Sequence, residues 1–494
     1  MNIIVRMNKK ELEYDVFTLV RSFFPGSNVV TDEEKIIEAK TKTEEVPIHL
    51  EISVEVKQKD NEIIHIFTEI LGGKSSDIDC SFSDIKEAKN EIKRQIYYLL
   101  KDYKGEELPW GILTGIRPTK LIVAKLEEKC TDDEIYEYMK QEYLATDEKI
   151  KLGLEISKRE LKLLDKIDYV EGYSLYIGIP FCPSTCLYCS FTSYPVSMYK
   201  NKMDAYVDAL IQEIEFSKEA FKDKKLNTVY FGGGTPTALS AEQLDRLLQK
   251  VRESFDFTWC QEFTVEAGRP DSITKEKLLV LKKHQVSRIS INPQTMKQET
   301  LDIIGRHHTV NQVVETYNLA RNLGFDNINM DFIVGLPDES IDDVKNTMEE
   351  VLKLNPDSIT VHSLAIKRAA RLNIFKDKYS EMTIENNMEI MKLCEEYARQ
   401  MEMTPYYMYR QKNMAGNMEN VGYARVDKAG IYNILIMEEK QTILALGAGA
   451  VTKYVFPEGG RIERVDNVKN VDIYIDKIQD MIEKKRNFLW EMLS

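Results

Sequence analysis

No run of eighteen apolar residues occurs in the 494-residue chain, which excludes a transmembrane helix. Met1 to Asp15 hold only a very short apolar stretch and no small-residue cleavage site. Neither a signal peptide nor secretion is expected, and the expected location is the cytoplasm. Positive charge is in deficit: 67 Lys and Arg stand against 81 Asp and Glu, a net −14. That balance argues against a general electrostatic grip on nucleic acid or an anionic membrane. Cysteine is scarce and odd in number. Cys80, Cys130, Cys182, Cys186, Cys189, Cys260 and Cys394 are mostly isolated, which is no disulfide framework. Internal repeats and low-complexity tracts are absent.

What is present suffices for burial. Hydrophobic residues make up 43%, with 25 Tyr, 18 Phe and 19 Met, so global disorder is excluded. The length is too great for one core and predicts two or three domains. Residues 1–105 predict an α+β domain. It has a helix from Lys9 to Phe24 stopped by Pro25 and Gly26, a hairpin of His49–Val56 and Glu62–Ile70, and a long helix over Ser83–Tyr103. Its 16 basic and 20 acidic residues do not suggest RNA binding. Residues 106–170 predict a helical connector, with a capping box at Thr131 and Glu134 and a helix start near Thr146. The apolar loop from Trp110 to Lys120 is expected to pack between domains.

Residues 171–365 change rhythm. Strands are expected near Tyr173–Ile179, Asn227–Phe231, Glu262–Glu266, Arg288–Asn292, Asn327–Val334 and Ser358–Val361, with helices between them. Ser240 and Ser340 mark two helix starts. Six strand–helix alternations imply a parallel sheet, doubly wound or curled toward a barrel, with its site just after the strands. Residues 366–494 predict an α+β extension. It would hold a helix over Thr383–Met401, a strand at Thr442–Leu446 running into Gly447-Ala448-Gly449-Ala450, and a helix over Val471–Leu493.

Cys182-Pro183-Ser184-Thr185-Cys186-Leu187-Tyr188-Cys189 directly follows the first strand of this region. Chance spacing would produce such a cluster about once in a thousand chains of this composition. Three thiolates suit a soft metal. Zinc would want a fourth ligand, and no His or further Cys lies nearby. A [4Fe–4S] cluster held by three cysteines leaves one iron open to a small molecule. After the second strand, Gly232-Gly233-Gly234-Thr235-Pro236-Thr237 brings backbone close to a ligand or makes a simple turn. The P-loop and dinucleotide fingerprints are not matched. Asp331 lies inside the apolar run Met330–Val334, where a charge is costly unless it is paired or serves a site.

The segment Tyr176 to Cys189 together with Gly232 to Thr237 resembles the radical S-adenosylmethionine (SAM) enzymes. Within these the chain resembles the oxygen-independent coproporphyrinogen III oxidase (dehydrogenase) group over roughly 172–455. The Trp110–Lys120 loop and the Tyr406–Asn413 segment look most like its HemZ branch. The resemblance implies an α/β radical SAM partial (β/α)6 TIM-like barrel with an N-terminal α+β domain and a C-terminal α+β extension. It implies that Cys182, Cys186 and Cys189 hold a [4Fe–4S] cluster. Tyr176, Tyr188, Gly233, Gly234, Thr235, Glu266, Gln294, Arg306, Asp331 and Ala365 match SAM-contacting positions, for one SAM or two. No side-chain acid or base is demanded, so no catalytic residue is assigned. Gly178 stands where HemN has histidine, and Phe191 where HemN has a fourth cysteine.

The activity this implies is radical oxidative decarboxylation of porphyrinogen propionates to vinyl groups in haem biosynthesis. Reduced flavodoxin or ferredoxin would supply electrons, and Arg368 and Arg371 are candidates to bind propionates. Two alternatives stay open: a haem chaperone of the HemW type, and radical chemistry on another substrate, of which nucleic acid fits the acidic balance least. Residues 401–455, with Tyr406, Tyr407, Tyr409 and Arg410 as an amphipathic rim, are expected to cover the open barrel side.

Overall fold

The first strand of the chain carries a buried apolar run, Ile3-Ile4-Val5. The computed structural model describes residues 1–31, 48–58, 63–71, 73–81, 85–115, 117–367, 370–374, 382–411, 414–456 and 460–493. These fall into two compact units, one of Met1–Ser157 with Arg410–Glu419, the other of Lys158–Tyr409 with Asn420–Ser494.

In the first unit, Asn2–Met7 (β1), Asn28–Val30 (β2), Leu50–Gln58 (β3), Ile63–Ile70 (β4) and Ser75–Ser81 (β5) form a sheet ordered β2-β1-β3-β4-β5. The expected hairpin is β3 and β4, paired antiparallel with Val54 opposite Thr68. β1, β2 and β5 had no counterpart in the sequence reading. β1 is parallel to both β2 and β3, a pairing that pattern alone does not reveal. Glu13–Phe23 (α1) and Ile85–Lys104 (α2) supply the apolar residues Val16, Leu19, Phe23, Ile96 and Leu100 that cover the sheet. Thr119–Glu127 (α3), Asp132–Tyr143 (α4) and the start of Asp147–Leu164 (α5) follow. The Thr131–Glu134 capping box forms with both reciprocal bonds. Trp110 is fully buried within this unit, and its indole N–H donates to Glu419 Oε2 at 2.8 Å. Lys149 Nζ meets the other oxygen at 2.5 Å.

The second unit is built on Gly172–Ile179 (β6), Lys225–Gly233 (β7), Glu262–Gly268 (β8), Arg288–Ile291 (β9), Ile328–Val334 (β10) and Ser358–Ser363 (β11). These six run parallel in sequential order, as the radical SAM partial barrel requires. Met203–Ala220 (α6), Ala241–Ser254 (α7), Lys275–Lys283 (α8), Val310–Asn322 (α9) and Ile341–Leu354 (α10) connect them. Ser240, Thr309 and Ser340 close capping boxes, so each helix begins at a defined residue.

The C-terminal extension enlarges this sheet at both edges. Thr404–Tyr409 (β12) and Asn420–Ala424 (β13) add antiparallel strands beyond β11. Thr442–Leu446 (β14) pairs parallel with β6, followed by antiparallel Val451–Val455 (β15) and Ile462–Asp466 (β16). The resulting eleven-stranded order is β12-β13-β11-β10-β9-β8-β7-β6-β14-β15-β16. Two helices of this extension differ from expectation. Met388–Gln400 (α11) begins five residues later than predicted, because Asn387 is extended and its side chain caps the Ile390 N–H. The C-terminal helix is two, Val471–Asp476 (α13) and Ile478–Leu493 (α14), after Ile431–Glu438 (α12). No helix among the described residues is long and apolar enough to cross a membrane.

The expected tyrosine rim does not form. Tyr406 and Tyr407 are buried. Arg410 lies in the first unit, donating to the Leu113 and Asn417 carbonyls.

Candidate functional site

Alternate residues of a strand share a face. In β6 to β11 one such set is mostly polar: Ser174 and Tyr176; Thr228 and Tyr230; Glu262, Thr264 and Glu266; Arg288, Ser290 and, just past β9, Asn292; Asn329 and Asp331; Ser358, Thr360 and His362. Side chains of this set meet across strands. The Tyr230 hydroxyl donates to Glu266 Oε1. Ser290 Oγ donates to the same oxygen at 3.1 Å, and Asn292 Nδ2 to Oε2 at 2.9 Å. Asn329 Nδ2 donates to Asp331 Oδ1 at 2.7 Å, and His362 Nε2 stands 3.7 Å from Oδ2. Glu266, toward the C-terminal end of β8, and Asp331, at the middle of β10, are joined in one network through Asn292. Burial raises the Glu266 carboxyl, and the Asp331 charge adds to the rise. Asp331 meets the same burial, but His362, Asn329 and Thr360 hold its carboxyl below the usual range.

The cysteine loop starts where β6 ends. Cys182 lies on the short strand Phe181–Cys182, paired with Tyr194–Pro195. The glycine turn after β7 is stitched to it: Gly234 N–H donates to the Ile179 carbonyl and Thr235 N–H to the Phe181 carbonyl, each at 2.7 Å. Thr235 Oγ1 is 3.5 Å from Cys182 Sγ. A Cβ at Gly234 would lie 2.6 Å from the Phe181 oxygen and 3.0 Å from Cys182 Sγ. Only glycine lets this backbone approach the loop so closely. Both N–H groups are engaged within the protein, so the close approach serves the loop first. On its other side the loop is tied to the segment after β9, with Leu187 N–H donating to the Ile304 carbonyl and Ser184 Oγ to the Gly305 carbonyl, each at 2.9 Å.

Tyr188 and Cys186 face the buried guanidinium of Arg306, whose Nη1 donates to the Asn292 carbonyl. Gln294, just past β9, is held against β10 by two backbone bonds, to Asp331 and Ile333, at a φ of +72°. A non-glycine residue in that region is strained and persists because its surroundings over-determine it. Tyr176 stacks on Tyr230 and Tyr432, each at 6.3 Å between ring centres, and those two stack on each other at 4.3 Å. Ala365 lies just past the end of β11, half-buried. Arg371 reaches the Thr185 carbonyl at 3.5 Å, beside the loop. Arg368 lies outside the described residues.

Several members of this constellation had no motif to mark them. Tyr230, Asn292 and His362 were visible only as polar residues at alternate positions in or just past their strands. His308 is fully buried, and neither ring nitrogen has a hydrogen-bond partner among the described residues. Arg269 carried no signal at all.

The Cys186 and Cys189 sulfurs stand near enough to act on the Cys182 thiol, a donor set that suits an iron–sulfur cluster. Among the described residues no three His, Cys, Asp or Glu side chains converge as one metal ion requires. A cubane asks for wider spacing, since each thiolate binds a different iron. Burial pushes the Cys182 thiol up to about 11 and raises Cys189 as well. Such thiols become thiolates only against strong positive charge, which iron supplies.

Fold and site together define a radical SAM protein, and the family model of the radical SAM superfamily matches residues 176–351. The chain is 42% identical over 417 residues to the oxygen-independent coproporphyrinogen-III oxidase-like protein HemZ of Bacillus subtilis, covering 83% of each chain. It belongs to that HemZ-type family. It is also 40% identical over 194 residues to the heme chaperone HemW of Lactococcus lactis, covering 39% of this chain and 49% of that one. The solved structure of Escherichia coli coproporphyrinogen III oxidase (HemN) has the same fold. Its TM-score is 0.51 at 22% identity, over 65% of this chain and 73% of that one. The family implies a [4Fe–4S] cluster and SAM.

Proposed function

We propose that this protein is an oxygen-independent coproporphyrinogen III dehydrogenase-type oxidoreductase, acting on propionate side chains of a porphyrinogen in haem biosynthesis. The observation that carries the reading is the likeness to HemZ across 83% of both chains. In this reading Cys182, Cys186 and Cys189 hold the cluster. SAM, one molecule or two, is held by Tyr176, Tyr188, Gly233, Gly234, Thr235, Glu266, Gln294, Arg306, Asp331 and Ala365. When bound, cluster and SAM supply one-electron cleavage of SAM and hydrogen-atom abstraction.

The chain's own residues orient and shield. Glu266 and Asp331 offer carboxylate oxygens to polar groups of SAM. The stacked rings of Tyr176, Tyr230 and Tyr432 lie beside Glu266, which accepts from Tyr230, and would limit water there. Arg371, beside the cysteine loop, would take a propionate carboxylate. Each propionate gives up one hydrogen atom, one carbon dioxide and one electron, the last to a one-electron acceptor, and becomes a vinyl group. Reduced flavodoxin or ferredoxin is the proposed donor for SAM cleavage, and the cytoplasm the proposed location. The domain reading remains 1–105, a 106–170 connector, the 171–365 core and the 366–494 extension.

A second reading, a haem chaperone, is favoured by the 40% identity to HemW. Anaerobic turnover separates the two. With coproporphyrinogen III, SAM and reduced flavodoxin, the enzyme forms vinyl porphyrinogen and 5′-deoxyadenosine together. Haem binding without a porphyrin product would instead support the chaperone.

A further inference from the structure

Arg269 follows directly on β8 and is 2% exposed. Its guanidinium lies between one carboxylate and one sulfur. Nε and Nη2 meet the two oxygens of Asp271 at 3.0 and 2.6 Å. Nη1 donates to Ser184 Oγ at 2.6 Å and the Ser184 carbonyl at 3.1 Å, and stands 4.0 Å from Cys186 Sγ. The Arg269–Asp271 pair is thus a fixed dipole with its positive end on Cys186. Arg306 faces the same sulfur from another side. Two guanidinium groups therefore stand against one carboxylate around Cys186. His308, the remaining ionisable group facing Asp271 and both arginines, is buried, and burial favours its neutral form.

We infer that Arg269 is a positioning residue that sets the reduction potential of the group bound at Cys186, with Asp271 moderating it. This rests on the reading of the cysteine loop as a cluster site. A [4Fe–4S] cluster on three thiolates is anionic, and one-electron reduction adds a negative charge without a proton. A guanidinium beside a ligand sulfur stabilises the reduced form and raises the potential. Arginine suits the task because it stays charged when buried, where lysine can lose its proton. Its planar fork holds Asp271 bidentately, which keeps Nη1 aimed at the loop.

A brace for the loop and a tuner of potential make different predictions. Loss of a brace, by either Arg269→Gln or Asp271→Asn, loosens the loop in the same sense. Loss of a tuner moves the potential in opposite senses. Arg269→Gln removes the near positive charge and should shift the midpoint negative. Asp271→Asn removes the far negative charge and should shift it positive. Arg269→Lys should fall between wild type and Arg269→Gln.

The test is an anaerobic dithionite titration of the reconstituted full-length protein, followed by electron paramagnetic resonance, with iron counted in every sample. Opposite shifts at retained iron support the inference. Unchanged midpoints, or shifts of the same sign, overturn it. Iron loss from both variants under conditions that load wild type also overturns it, since the pair would then be holding the loop. Wild type that takes up no iron would instead defeat the cluster reading itself, and the inference with it.

Discussion

Lys485 Nζ lies 2.5 Å from Glu213 Oε1, and both side chains are completely buried. The pair joins the C-terminal helix α14 to α6. The same carboxylate accepts from Tyr474 at 2.6 Å, Asn467 at 2.7 Å and the Gly447 N–H at 2.9 Å. One buried anion therefore fixes the glycine turn after β14 beside the end of β6. Lys485→Met should destabilise the protein by about 3–5 kcal/mol, because it leaves a buried charge unpaired. The double variant Glu213→Gln/Lys485→Met should recover part of that loss. Denaturant unfolding of both checks it, and a double variant no more stable than Lys485→Met would contradict the account.

Gly447 has a φ of +104°, and a Cβ there would stand 2.5 Å from the Gly178 carbonyl oxygen and 2.8 Å from the Tyr206 hydroxyl. Gly449 has a φ of +72° but meets nothing closer than 3.6 Å. Gly449→Ala should therefore cost about 1 kcal/mol of strain, and Gly447→Ala clearly more, since backbone must move as well. Thermal unfolding of the two variants ranks them.

Iron content tests the cysteine loop. The anaerobically reconstituted protein should bind about four irons per chain. Cys186→Ala should lose most of them. Cys260→Ala and Cys394→Ala should lose none, because Cys260 donates to the Glu262 carbonyl and Cys394 is packed in the core. Iron loss from Cys260→Ala equal to that from Cys186→Ala would sink the three-cysteine reading.

Glu266→Gln keeps an acceptor for Tyr230 while removing the charge. If Glu266 binds SAM, a lost charge-assisted hydrogen bond of about 1.5–3 kcal/mol should weaken SAM binding roughly ten- to a hundredfold. Iron content should not change. Equilibrium dialysis of the reconstituted protein reads both.

His308 predicts a pH dependence. Burial, reinforced by the Arg306 charge, lowers its pKa from 6.5 to about 4. The folded pKa lies below the unfolded one, so protonation favours the unfolded chain. Stability is unaffected above pH 6.5 and is lost as pH falls toward 4, by up to about 3 kcal/mol. Melting temperatures at pH 7 and pH 5 should differ less in His308→Gln than in wild type. An equal difference would show that other groups carry the acid sensitivity.

Local features were legible in the sequence because their physics is local. The cysteine spacing, the six core strands and the capping boxes at Thr131 and Ser240 depend on residues two to four positions apart. The glycine turn was visible too, although its reason, the 2.6 Å approach to Phe181, was not. Tertiary structure alone decided the rest. β14 lies parallel to β6, and the short segment Arg410–Glu419 belongs to the first unit, where Glu419 pairs with Trp110 and Lys149. Lys485 and Glu213 are 272 residues apart, Arg269 and Cys186 83 apart. Charged residues such as these are mostly exposed in proteins, so sequence pattern assigns them to the surface. Their burial becomes tolerable only once the fold brings each a partner, and no local spacing encodes that partner.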